Sequence, residues 1–232
     1  MNKYFIKITC KFAILATALI LSSSAYASPI LEVSSITSDT PVFASYYSLE
    51  NGINQSGLSS GYTSGVTDFD EYFLTNPYHD NYAATSVGLE RYATSASLFL
   101  DLGSVSTIES FALWNRYYSN QGVSSFSLYA SSDSSYTDEF LIGSFIAQTG
   151  LGAENQVLAE IFEFAPIETQ FVRFNVTGTY GAYGISFKEL AFEQSACVPE
   201  PSTFMLLVVG MLVIFMKNQC SIVGSNLDIR KN

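Results

Sequence analysis

Between residues 96 and 194 apolar side chains recur at every second position in one short run after another, and no other feature limits the possible folds as much. In "SLFLDLG", Leu98, Leu100 and Leu102 fall on one face; "SFALWNRYY", "FSLYASSD", "FLIGSFIA", "QVLAEIFEF", "QFVRFNV" and "ISFKELAF" follow. In "QFVRFNV", Val172, Phe174 and Val176 alternate with Phe171, Arg173 and Asn175, the pattern of a strand buried on one side. Turn residues separate the runs: Gly103 and Ser104, Asn120 to Gly122, Gly150 to Gly152, Pro166, and "GTYGAYG". No stretch of the body sustains a 3.6-residue period, and no internal repeat is visible. Short strands spaced this way, without helices, predict an all-β domain, either a sandwich or a barrel.

The two ends carry apolar segments of another kind. Lys3, Lys7 and Lys11 precede "FAILATALIL" and then "SSSAYAS". That order is the order of a secretory signal peptide, in which Ala25 and Ala27 fit the small subsites of signal peptidase. Cleavage after Ala27 starts the mature chain at Ser28. At the other end, "VPEPSTFMLLVVGMLVIFMK" sets Pro199, Glu200 and Pro201 ahead of an apolar run, residues 204–216, that Lys217 closes. As a helix this run rises roughly 20 Å at about 1.5 Å per residue, short of the roughly 30 Å of a bilayer core. It makes a poor permanent anchor. The tail resembles the sorting signal of PEP-CTERM proteins, the bacterial class cut by an exosortase. The resemblance implies transient membrane contact through the short helix and delivery to the cell surface or extracellular matrix of a Gram-negative bacterium. It also implies a division into signal peptide (1–27), folded body (28–196) and sorting segment (197–232). The chain departs from the class in having one adjacent base, Lys217, with Arg230 and Lys231 further on. An ordinary single-span anchor is the alternative reading of the same run.

The body is long enough to bury its own core. It keeps four basic residues, Arg91, Arg116, Arg173 and Lys188, against nineteen acidic ones, a net charge of roughly −15. Such a surface repels phosphates, which excludes nucleic acid as a partner. Of the three cysteines, Cys10 and Cys220 lie outside the body and Cys197 beside the Pro-Glu-Pro, so stability is expected to rest on burial and not on an internal disulfide.

The order of "LFLDLGSVSTIESFALWNR", "GVSSFSLYASSD" and "TQFVRFNVTGTYGAYGISFKELAF" resembles the discoidin or coagulation-factor C-type domain, a galactose-binding-like jelly-roll β-sandwich. The resemblance covers residues 97–194 and, more weakly, the segment before them. It implies loops at one end that hold saccharides. In calcium-containing members an early loop and a late glutamate share a cation; matching loop to loop gives Asn54 in "NGINQSG" and Glu189 in "FKELAF". Calcium takes six to eight oxygens, and Asn54 offers a neutral oxygen where the family often has a charged one. The other reading makes Asn54 a turn residue and pairs Glu189 with a neighbouring cation.

The insertion at residues 67–92 mixes acidic residues with Phe69, Tyr72, Phe73, Tyr78 and Tyr82. Saccharides favour an aromatic platform beside carboxylates and amides, and loops commonly carry function. The candidate ligand-binding residues are therefore Asp70, Tyr72, Tyr78, His79 and Tyr82, against the alternative that these aromatics pack the insertion onto the sandwich. Trp114, the one tryptophan, sits in a strand pattern and reads as core. His79 is the one histidine and reads as a solvated loop residue. A catalytic triad or a typical zinc site would have to be built on this one histidine, and no H-E-x-x-H is present, so no catalytic centre or typical zinc site is expected. The expectation is a non-catalytic protein that adheres to extracellular polysaccharide, with signal peptidase and exosortase as partners during export. The competing class is a structural spacer without a ligand; a glycosidase comes third.

Overall fold

The computed structural model describes residues 27–117, 121–153, 155–181 and 183–196. Ala25, the Pro-Glu-Pro of residues 199–201 and the apolar run after it lie outside the described residues. In chain order the elements are β1 (Ile30–Leu31), β2 (Ser35–Ser38), α1 (Phe69–Leu74), β3 (Tyr78–His79), β4 (Val87–Gly88), β5 (Ala96–Asn115), β6 (Val123–Ser131), β7 (Phe140–Ile146), β8 (Gly152–Ala153), β9 (Gln156–Thr179) and β10 (Ser186–Gln194), with two short 3-10 turns at Leu49–Gly52 and Ala83–Thr85.

The named strands pair antiparallel. The two longest serve both layers. The first arm of β5 pairs β2 and the end of β9, which β6 and then β7 extend; the second arm of β5 pairs β10 and the start of β9, with β1 beyond β10. Their inner faces meet in one core. Phe111 on the second arm lies 5.4 Å from Phe174 and 5.6 Å from Phe126, ring centre to ring centre, and Phe174 lies 5.7 Å from Phe187. All four are essentially inaccessible to solvent. The sequence runs on either side of Gly103, and those on either side of Pro166, are thus single bent strands and not separate ones. Gly103 supplies a φ of 81° at the first bend, a conformation that costs glycine little. Exposed Pro166 falls where the β5–β9 register shifts, between the Ser110–Glu163 and Ile108–Ile167 pairs. There the missing N–H leaves no ladder bond broken.

The back of the second layer is also covered. Ala112, Trp114 and Ala191 point outward from it and are buried by Ile30, Tyr62, Phe69 and Tyr72 in a smaller apolar cluster. Trp114 is core: its indole N–H donates to the Pro77 carbonyl at 3.1 Å, and its ring lies 5.4 Å from Phe73. Helix α1, absent from the sequence reading, is six residues long, too short to display a 3.6-residue period. Asp68 caps it by accepting the Glu71 amide N–H at 2.7 Å.

Candidate functional site

Helix α1 and the strand after it decide the fate of the insertion. Tyr72 is buried, its hydroxyl donating to the Ser60 carbonyl at 2.6 Å and its ring edge-on to Tyr62. His79 is fully enclosed, pairs with Val157 across β3–β9, and has Nδ1 2.8 Å from the Asp80 carbonyl. Burial holds this imidazole below the usual histidine range, so it is neutral at physiological pH. Asp70 and Tyr82 face solvent, and Tyr78 is half-buried. The insertion therefore presents no single platform built from all five residues. Tyr72 and His79 are corrected from candidate ligand contacts to packing residues, because their side chains fill the space between α1, β3 and the second layer. His79 is likewise no solvated loop residue.

Where the same segment turns back, it wraps a buried ammonium. Lys188 Nζ donates to the Tyr82 carbonyl and to Ser86 Oγ, both at 2.7 Å, and Arg116 Nη1 donates to the same Ser86 Oγ at 2.7 Å. Burial, then the Arg116 charge, lower the Lys188 pKa to about 7. Nothing in the sequence marked Lys188 as buried. The cause is a bulge: Phe187 pairs Asn115 and Glu189 pairs Trp114, so Lys188 is an extra residue between them. The bulge lets Phe187 and Leu190, three positions apart, both enter the main core.

On the opposite face from Leu190, Glu189 is also fully buried. One carboxylate oxygen accepts the Gln55 N–H at 3.0 Å; the other has no protein partner. Burial pushes its pKa up to about 9, against the opposing effect of that N–H. Loop 51–57 is therefore seated on Glu189, while exposed Asn54 accepts the Ser56 N–H at 2.8 Å with its side-chain oxygen. Among the described residues, no three His, Cys, Asp or Glu side chains gather around a point. The loop that carries Asn54 is thus held against Glu189, one of whose carboxylate oxygens has no protein partner.

A different place carries the geometry of a ligand site. Four segments, contributing Phe43 and Tyr47, then Gly88, Leu89 and Arg91, then Gln121, and last Tyr183 to Ser186, meet around a cleft of about 270 Å³. Phe43, Tyr47, Arg91, Gln121 and Tyr183 line it, with the backbone at Gly88 and Gly184. Backbone bonds knit these loops: Phe43 N–H to the Gly88 carbonyl at 3.0 Å, Leu89 to Ile185 at 2.9 Å, and Ser186 to Gln121 at 2.8 Å. Two glycines permit the close approach. A Cβ at Gly88 would stand 2.7 Å from the Tyr47 ring, and one at Gly184, where φ is 117°, would stand 2.9 Å from the Glu90 carbonyl. Phe43 and Tyr183 remain substantially exposed, and the Tyr46 ring lies tilted against Tyr47, 4.7 Å between centres. The cleft thus offers apolar ring faces beside an amide and a guanidinium on a fixed scaffold. Sequence reasoning took "GTYGAYG" only as a turn; aromatics between glycines were the available signal for Tyr183.

No family model matches the chain, and no curated protein matches it. Solved structures do. A Clostridium perfringens ZmpB chain, comprising two CBM32 modules and an M60 catalytic domain, superposes with a TM-score of 0.50 at 12% identity, over 76% of this chain and 16% of that one. Chitosan-binding module 1 of a Paenibacillus sp. IK-5 chitosanase/glucanase gives a TM-score of 0.44 at 14% identity, over 72% and 98%. The family 32 CBM of C. perfringens NanJ, solved with galactose, gives 0.45 at 16%, over 71% and 97%. The ZmpB likeness shows the fold: a discoidin-like jelly-roll β-sandwich of the type found in CBM32 modules.

Proposed function

We propose that this protein is an exported, non-catalytic surface or matrix protein whose β-sandwich binds extracellular polysaccharide through the cleft at its loop end. One observation carries the reading: Phe43, Tyr47 and Tyr183 converge with Gln121 and Arg91 on a cleft held by backbone bonds between loops. Aromatic faces take the apolar C–H side of a sugar ring, and the amide and guanidinium take its hydroxyls. Enclosure of the only histidine removes the side chain most often used as a general base. Export rests on the signal-peptide pattern at residues 1–27, and sorting by an exosortase on the Pro-Glu-Pro and apolar run. Calcium, where bound, takes the free oxygen of Glu189 together with Asn54 and ties the start of the domain to its last strand.

The test is affinity electrophoresis and calorimetry of the full chain against a panel of purified polysaccharides. At least one binds saturably, Tyr183→Ala weakens it about tenfold or more, and Tyr82→Ala leaves it unchanged. A chain that binds none of the panel is a structural spacer; turnover of chromogenic glycosides would mean an enzyme.

A further inference from the structure

We propose that the cleft selects saccharides bearing a carboxylate, such as uronic acids, and that Arg91 is the group that recognises it. The inference rests on the cleft being the saccharide site and adds the class of sugar. Arg91 is mounted for such contact. Its guanidinium carbon lies 4.9 Å from the Tyr92 ring centre and 5.7 Å from that of Tyr183, and the two rings are 6.4 Å apart. Both tyrosines are more than half exposed. A guanidinium resting on ring faces keeps its N–H edges outward, and those edges match a planar carboxylate in a two-bond fork.

That pairing capacity is unspent. The body holds nineteen acidic residues, yet among the described residues Arg91 makes no ion pair, whereas Arg173 is paired with Glu139. Among the described residues no aspartate or glutamate lines the cleft. Arg116 and Lys188 both donate to Ser86 Oγ, two residues before Gly88. The Arg116 charge reaches Tyr47, where it opposes the upward push of burial on the phenol. Arg91 and Arg116, two of the three arginines of the body, thus lie toward this end of an acidic molecule. At physiological ionic strength charges are screened over about 8 Å, so acidic residues beyond that distance weigh little on a sugar already seated there.

The experiment titrates oligogalacturonate, alginate oligomers and hyaluronan oligomers into the full chain at about 150 mM salt, each beside its own carboxyl-reduced derivative. At least one acid is expected to bind about tenfold more tightly than its reduced counterpart. Arg91→Gln is expected to weaken the acid about tenfold more than the reduced sugar, so that the difference between the two disappears, and Arg91→Lys to restore part of that difference. Because Arg91 is a surface residue, both variants should melt with the wild type. Equal binding of acid and reduced forms, or a preference that survives Arg91→Gln, overturns the selection by charge and leaves the saccharide site standing. Absence of binding by every acid and every reduced sugar overturns both.

Discussion

Lys188 and Glu189 adjoin in the chain, are both fully enclosed, and pull stability in opposite directions with pH. Glu189 has its pKa raised from 4.5 to about 9. The folded state therefore holds a proton that the unfolded chain releases. Its contribution is complete below pH 4.5 and is lost as pH climbs to about 9, at up to about 1.4 kcal/mol per pH unit. Lys188 is lowered from 10.5 to about 7. Its cost is complete below pH 7 and is relieved between 7 and 10.5. From pH 5 to 7 the Glu189 effect acts alone of the two. In EDTA, chemical denaturation should show wild-type stability falling over that range relative to Glu189→Gln; parallel profiles would remove the buried carboxyl from the account. Calcium favours the ionised carboxylate. Millimolar calcium should thus raise the melting temperature more at pH 7.5 than at pH 5.5, and Glu189→Gln should abolish the rise; no shift in the wild type would remove the metal.

At the scale of elements, the covering of the second layer by α1 and the residues before it is a separate apolar contact with Trp114 at its centre. Trp114→Ala should cost about 3–5 kcal/mol, read as a lower denaturation midpoint. The intrinsic tryptophan emission of the wild type should be blue-shifted until the whole domain unfolds; red-shifted native emission would contradict the enclosure of Trp114. The strands themselves were legible because each is apolar on one face, as Leu98, Leu100, Val172 and Phe174 are. Their joining was not legible. Gly103 and Pro166 break propensity locally, but β5 and β9 pair with each other on both sides of the bends, and tertiary hydrogen bonding outweighs a local turn signal. Helix α1 and the bulge at Lys188 were hidden for a similar reason: each is set by what it packs against.

For the molecule as a whole, the acidic surface and the all-β fold followed from composition and period, whereas the candidate site did not. Its side chains come from loops more than a hundred residues apart, between Phe43 and Tyr183, and only folding brings them together. The insertion drew attention because its aromatics are adjacent in sequence; Tyr72 proved adjacent to the core instead. Close packing behind the cleft gives a further prediction. Gly88→Val must displace the Tyr47 ring, since even a Cβ would stand 2.7 Å from it, and saccharide affinity should fall about tenfold or more while the fold persists. The most direct test of the loop-end site is amide and side-chain NMR of the protein titrated with a polysaccharide fragment that it binds. The account predicts shifts gathered at Phe43, Tyr47, Arg91, Gln121 and Tyr183; shifts centred on residues 68–82, with the cleft silent, would contradict it.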